Sequence, residues 1–473
     1  MILLAWLVVR LPLVVFGLAP MVQVDSLYFR TFATGLRDPH NPFFYGEFLK
    51  ILGPYHSIAA QHLFVLVSAW VLYAVGRDAL SRRAGLFAGL FVAVYGGYVL
   101  YAHSYMSEIL FCFVLALHFG ALWLAVSRES APWFFVAGLL VGVAVNVRAV
   151  AQYQVIVLAL ALAPFYLRGG RPRAWLKATG ALAAGFLLLY LPVAGAVRAH
   201  TGNFGITNGF PRAAMYRLVW DESAPVSAVE VDDPLAREVR DYLAGLGYRS
   251  DRIWNGAYGH IRKEILGKPD PVNNREVDRL VTDLWLEYVK TYPFRYTMYS
   301  MGELLSVMTG EMDLSYMHDF SRSTLATGPD SRLAVWAEHV PPSERVLGSL
   351  HFLYTVLACL PGCFPVVLVV LSGGAILLRR ASPRARVLLV LVLATMLYLL
   401  VPQHFASIAI VRYKLPFFMG YALVFGLVCA RLPERITKSR GGNREQGAEA
   451  VVSGALPDAH RAVTGKDLGV CAE

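Results

Sequence analysis

Val24-Asp25-Ser26-Leu27-Tyr28 is the stretch from which the rest of the chain is read. The residues before it, 1–20, are almost wholly apolar, and the next long apolar run begins only near residue 59. Residues 21–58 between them form a polar and aromatic loop with an acid at its start. A carboxylate is expensive to ionise in hydrocarbon and cheap to ionise just beyond it. Asp25 therefore marks an exit from a membrane, provided that the apolar runs on either side cross one.

Composition supports that condition. The chain has 473 residues, of which 56% are hydrophobic and 16% charged, against roughly a quarter charged in soluble domains. Its mean hydropathy is +0.50. Apolar blocks near spanning length lie at 1–20, 59–76, 84–102, 108–126, 132–148, 150–167, 176–197, 362–379, 384–401 and 409–430. Segment 1–20 lacks the basic start of a signal peptide and leads into further spans, so it is read as the first helix. The net charge of +10 gathers in joints beside these blocks. Arg77, Arg82 and Arg83 occupy one joint, Arg168, Arg171, Arg173 and Lys177 a second, and Arg379, Arg380, Arg384 and Arg386 a third; Arg431, Arg435, Lys438 and Arg440 begin the tail. All four fall on one side if about ten helices cross with the N-terminus in the cytoplasm, the positive-inside pattern. That explains the charge without a nucleic-acid partner. The five cysteines have neither metal-ligand spacing nor a disulfide framework.

The expected fold is a polytopic all-α membrane protein, a bundle of about ten transmembrane helices with an extracytoplasmic soluble domain inserted before the last ones. Residues 1–197 carry helices 1–7 and the outer loop 21–58. Residues 198–345 form the outer domain, 346–430 an interfacial segment with helices 8–10, and 431–473 a disordered cytoplasmic tail. Pro361 and Gly362 interrupt the apolar run after 346–360, so that stretch is taken to lie at the interface and not to cross. Within the outer domain, Asn274 can cap a helix on which Val277, Leu280, Val281, Leu284 and Val289 recur at helical spacing. Pro293 interrupts it, and an amphipathic run from Phe294 to Leu304 follows, suited to a membrane surface or to packing within the domain.

On this topology several charges share the outer rim. Asp25 follows helix 1, Glu108 opens helix 4, Arg148 ends helix 5, and Arg412 and Lys414 open helix 10. Each alone is an ordinary helix-end charge, since long cations snorkel. Together they fit sugar transfer from a lipid phosphate. Cations stabilise a phosphate leaving group, which assigns donor-phosphate binding to Arg148, Arg412 and Lys414. A carboxylate can take the acceptor's proton, which assigns catalysis to Asp25 with Glu108 orienting, sharing the proton or pairing with Arg148. Tyr28, Tyr55, His56, His103, Tyr105, His404 and Tyr413 are the expected pocket lining. His40, His56 and His103 lack the tight spacing of a metal site, so neither metal nor cofactor is expected. No glycine-rich nucleotide loop appears, which argues against a nucleotide-sugar donor.

With Asp25-Ser26-Leu27-Tyr28 followed by Ala33 and Gly35, with Ser107-Glu108-Ile109-Leu110-Phe111, with the Gly138-to-Arg148 stretch and with Arg412-Tyr413-Lys414-Leu415-Pro416, the chain resembles GT-C type integral-membrane glycosyltransferases. The resemblance runs from residue 1 to about 430, on the bacterial branch allied to protein mannosyltransferases, lipid A aminoarabinose transferases and cell-envelope arabinosyltransferases. It implies a polyprenyl-phosphate sugar donor, inversion at the anomeric carbon, and Asp25 in the place of the first-loop catalytic Asp. It also implies Glu108 as the second-loop acid and Arg412 as a donor-phosphate contact. Many relatives carry two adjacent acids in the first loop, whereas Ser26 follows Asp25 here, which leaves Glu108 as the second acid. The expected acceptor is a glycan, lipid or protein on the outer face of a bacterial inner membrane. The competing expectations are a secondary transporter, which would need two repeated halves with discontinuous helices, and a non-catalytic envelope assembly protein.

Overall fold

The computed structural model describes residues 1–15, 43–201, 204–205, 209–220, 225–246, 256–267, 275–309, 353, 357, 382–406 and 415–430. Every element among them is helical. Apart from the short turns Ala149–Tyr153, Val226–Ala228, Ala257–His260 and Ile261–Ile265, these are in chain order α1 (Ile2–Val15), α2 (Phe43–Ala79), α3 (Arg82–Val94), α4 (Gly96–Ala102), α5 (Glu108–Arg128), α6 (Ala131–Val147), α7 (Gln154–Leu167) and α8 (Pro172–Thr201). Then follow α9 (Gly209–Trp220), α10 (Pro234–Gly245), α11 (Arg275–Thr291), α12 (Pro293–Thr309), α13 (Pro383–Ala406) and α14 (Leu415–Ala430).

Five segments are long and apolar enough to cross a membrane: His56–Ala79, Glu108–Arg128, Ala149–Leu167, Pro172–Ala199 and Pro383–Leu400. Helices α3 and α4 pass the same test as a pair, bent by 47°, and Ile2–Leu13, Ala131–Val147 and Leu415–Ala430 are shorter apolar helices. Nine of the apolar blocks read from the sequence thus coincide with apolar helices. The tenth, 362–379, lies outside the described residues, as do loop 21–42, residues 310–345 and nearly all of 346–360. One block differs from its expectation. Residues 84–102 are not one straight span but break at Tyr95, whose backbone leaves the helical region (ψ 119). A side chain on Gly97 would run into the Tyr95 ring, so the small residues after the break let the ring fold over the next helix.

Small residues also decide which helices touch most closely. A Cβ on Gly138 of α6 would collide with the Leu182 carbonyl of α8, and one on Gly185 with the Phe135 carbonyl. Gly142, one turn on, comes within 3.0 Å of Leu189 by the same construction. Because Gly138 meets Leu182 and Gly142 meets Leu189, α6 and α8 run parallel. Close backbone approach of this kind is how helices gain dispersion contact where no hydrophobic drive separates lipid from protein.

The bundle has two chemically distinct ends. At one, Arg171 pairs with Glu129 at 2.5 Å. That hydrogen bond holds the Glu129 carboxyl below its ordinary range, with Arg171 and Arg384 adding Coulombic attraction. Gly85 of α3 packs against the backbone of Tyr73 and Arg77. The basic joints at 77–83, 168–173 and 383–386 therefore gather where the Arg171–Glu129 pair lies. The opposite end holds residues 102–108, Arg148 and the 3-10 turn Ala149–Tyr153.

Helices α9 to α12 build a second core around Met215, Val239, Leu243, Ile261, Leu280, Leu284 and Tyr288. The two helices expected around Pro293 are present as α11 and α12, with Val277, Leu280, Val281 and Leu284 buried. Arg217 lies fully buried under the rings of Tyr296 and Tyr299, 5.3 and 4.5 Å from their centroids, and donates to Ser300 Oγ. Leu304 of α12 joins the bundle core, so α12 bridges the two cores.

Candidate active site

The polar end is assembled by three breaks in helix geometry. Gly53 takes φ 73 and ψ 167 inside α2, a left-handed backbone that favours glycine, and there the helix folds back on itself. Residues 43–52 consequently return to the bundle, and the fully buried Tyr45 donates to Oε1 of Gln61 at 3.2 Å. Gln61 in turn donates from Nε2 to the Ser104 carbonyl at 2.8 Å and sits 3.4 Å from that of Ala102. This clamps the 102–107 turn to the first full turn of the span. The second break is that turn itself, which ends at Ser107 and starts α5 with Glu108 in its first turn, where the helix dipole favours an acid. The third is Arg148, the C-cap of α6. Its backbone is extended (φ −149, ψ 119), and its N–H still donates to Ala144 O at 2.8 Å.

These breaks bring Glu108 and Arg148 together, forty residues apart in sequence. Arg148 Nη1 donates to Glu108 Oε1 in an ion pair whose carboxylate is 1% exposed and whose guanidinium is 15% exposed. A pair in that setting is held because neither charge can return to water alone. The Glu108 carboxylate also acts on Tyr45: burial pushes the Tyr45 phenol well above its ordinary value, and repulsion from the Glu108 charge adds to it. Tyr45 is therefore a fixed donor across the physiological range.

Arg10 of α1 has Nε 3.2 Å from His62 Nδ1 and Nη1 2.8 Å from the Ala93 carbonyl. His62 Nε2 lies 3.3 Å from His103 Nδ1. Two further contacts tie later helices to the same end. Tyr398 of α13 donates to Val150 O and accepts from the Tyr153 N–H, and Tyr98 of α4 donates to Leu415 O, the first residue of α14, at 2.7 Å.

Among the site residues expected from sequence, Glu108, Arg148, His103 and Tyr105 meet at this end, all buried save the partly exposed Arg148. His56 is exposed beside Leu52 O, and Tyr55 and His404 fall on α2 and α13. Asp25, Tyr28, Arg412, Tyr413 and Lys414 lie outside the described residues. Sequence reasoning passed over Arg10, Gln61 and His62. The available signal was Arg10, a cation in the middle of an apolar run, since an ionisable group inside a span is expensive and rarely idle. Among the described residues no three His, Cys, Asp or Glu side chains converge as a metal site.

The described residues thus form a multi-helix membrane protein with a buried ion pair and a hydrogen-bonded turn at one end of its bundle. Residues 45–197, about a third of the chain, match the family model described as dolichyl-phosphate-mannose-protein mannosyltransferase. The matched segment contains the Gly53 kink, Gln61, His62, His103, Glu108 and Arg148, and it bears out the resemblance to GT-C type membrane glycosyltransferases. Among solved structures, the chain is similar to the crystal structure of ArnT from Cupriavidus metallidurans bound to undecaprenyl phosphate. The two are 14% identical with a TM-score of 0.36, over 90% of this chain and 75% of that one. No curated protein matches the chain.

Proposed function

We propose that the chain is an inverting glycosyltransferase that moves a pentose or hexose from a polyprenyl-phosphate donor to a glycan, lipid or protein acceptor. The reaction takes place on the outer face of a bacterial inner membrane. The observation that carries this is the family match over residues 45–197, the segment that holds the Glu108–Arg148 pair. Asp25 takes the proton from the acceptor hydroxyl, and the freed oxygen attacks the anomeric carbon from the face opposite the phosphate. The bond from that carbon to the phosphate oxygen breaks, and its electron pair leaves on the polyprenyl phosphate. Arg148, Arg412 and Lys414 stabilise that charge. Glu108 pairs with the Arg148 guanidinium and so holds that cation at the end where the donor is bound. Residues 198–345 hold the acceptor, and 431–473 form a cytoplasmic tail.

The test is Asp25→Asn, which keeps volume and one acceptor but cannot take a proton. Purified variant is expected to fold and bind lipid-linked sugar yet turn over about a hundredfold or more slowly than wild type. Near-wild-type turnover by the folded variant would remove Asp25 from the chemistry.

A further inference from the structure

The mechanism above gives Arg148 a task but does not use the turn beside it. Ala149–Tyr153 is a 3-10 turn of five residues between α6 and α7, with Arg148 as its N-cap. Runs of this length are uncommon, because 3-10 hydrogen bonds have poorer geometry than those of an α-helix. Such a turn persists when contacts from outside keep it from winding into the helix that follows, and α13 supplies them. The Tyr398 hydroxyl donates to Val150 O and accepts from the Tyr153 N–H at 2.9 Å. One oxygen thus bridges a carbonyl and an amide three residues apart, the two groups that a 3-10 turn brings together. Earlier on α13, the buried Thr395 has its Oγ1 3.5 Å from Nε2 of Gln154, the first residue of α7. The turn also holds Arg148 by its backbone. The Arg148 N–H donates to Ala144 O of α6, and the Arg148 carbonyl accepts from the Ala151 N–H within the turn at 3.3 Å. Were the turn to wind into α7, this extended residue would rotate with it and carry the guanidinium along. α13 packs against the turn and also against α5, the helix that opens at Glu108. One helix therefore supports both partners of the ion pair.

We infer that Tyr398 is a positioning residue: its hydroxyl locks the 149–153 turn and so holds the Arg148 guanidinium where the donor phosphate binds. The phosphate role of Arg148 belongs to the proposed glycosyl transfer, and the last clause rests on it; the locking of the turn does not. The arrangement also gives a reason for a hydroxyl inside the apolar run 384–401. A phenylalanine there would pack the same ring with no polar atom to satisfy.

Two measurements on the full chain in nanodiscs test this, with undecaprenyl phosphate, the lipid-phosphate part of the proposed donor, as the probe. Tyr398→Phe removes one oxygen and keeps the ring. Amide exchange over residues 149–153, corrected for the intrinsic rate, is expected to quicken in this variant. Binding of undecaprenyl phosphate is expected to weaken about tenfold, as for a charge-assisted contact held out of place. Arg148→Met is expected to weaken it at least as much, and Tyr398→Phe to add nothing in the Arg148→Met background. A tyrosine that only stabilised the fold would lower the melting temperature and leave probe binding by the folded protein unchanged. Unchanged exchange or unchanged binding in Tyr398→Phe, beside a loss in Arg148→Met, would overturn the inference and leave the phosphate role of Arg148 standing. Losses that multiply in the double variant would overturn it too, because Tyr398 would then act by a route other than Arg148. A Tyr398→Phe protein that fails to fold would make the hydroxyl part of the framework, with the same consequence. Should Arg148→Met bind the probe as wild type does, the phosphate role of Arg148 fails and takes this inference with it.

Discussion

The ion pair between Glu108 and Arg148 is the residue-scale feature with the clearest energetic consequence. Removing one partner takes its counter-charge from a poorly solvated group: Arg148→Ala from a carboxylate that is 1% exposed, and Glu108→Gln from a guanidinium that is 15% exposed. Each single variant is expected to lose about 3–5 kcal/mol of stability. Glu108→Gln combined with Arg148→Met, which removes both charges together, is expected to lose less than the two single losses combined. Thermal melts of the four proteins in one detergent check this, and strictly additive losses would mean that the two side chains do not depend on each other. Arg148→Lys should recover stability better than transfer, because an ammonium restores charge without the flat two-donor edge. The sequence made both residues conspicuous as charges at helix ends, and their pairing was already one of the roles open to Glu108. Arg10 and His62 were not legible in the same way, because their meaning comes from contacts 52 and 41 residues distant. A second residue-scale prediction concerns pH. Burial raises the Asp278 carboxyl to about 7, and the Tyr258 hydroxyl donates to it. In the folded state it keeps its proton above the pH at which the unfolded chain releases it. This term favours folding below about pH 4, weakens as pH rises to about 7, and is flat above. Amide exchange in α11, corrected for the intrinsic rate, is expected to show stronger protection at pH 5.5 than at pH 8, and Asp278→Asn should abolish the difference.

At the scale of elements, the contact between α6 and α8 positions the site more than any single polar bond does. Arg148 is the last cap of α6, so the axis of that helix decides where its guanidinium stands. Gly138 sets the axis, because its missing side chain lets the Leu182 carbonyl approach. Gly138→Val cannot be absorbed by a rotamer change, since the opposing atom is backbone. The helices must separate, with an expected loss of roughly 1–3 kcal/mol and a fall in transfer larger than that in donor binding. Gly180→Ala on α8 meets nothing within 4 Å and serves as the control, with little change expected. A Gly138→Val protein with wild-type melting and turnover would show that the close approach is dispensable. Hydrophobic blocks in the sequence located these helices because burial in lipid needs length and apolarity alone. They did not reveal the break at Tyr95, since Tyr-Gly-Gly within an apolar run is equally compatible with a straight span. Nor did they reveal the fold-back at Gly53, which depends on one residue's backbone angle and not on any pattern.

At the scale of the whole molecule, the two ends of the bundle differ in charge. The basic joints, the Arg171–Glu129 pair and Arg384 share one end of the bundle, while the 102–108 turn, Arg148 and the start of α14 share the other. This agrees with the ends paired by counting spans, and the positive-inside tendency assigns the basic end to the cytoplasm. Helix α8 runs parallel to α6 and so finishes at the Arg148 end, and the second core follows it in the chain. If the basic end is cytoplasmic, residues of α10 therefore face the other compartment. Glu238, exposed on α10, and Arg83 and Arg171 at the basic joints are suitable sites for single cysteines in a chain whose five native cysteines are replaced. In sealed vesicles of known orientation, an impermeant thiol reagent is expected to reach Arg83→Cys and Arg171→Cys only from the cytoplasmic side and Glu238→Cys only from the opposite side. A reversal of all three would turn the site to the cytoplasm, where a donor displayed on the outer leaflet is out of reach. Labelling of all three from one side would contradict the parallel course of α6 and α8 together with the placement of the second core, and the proposed outer-face chemistry would have no place in the molecule.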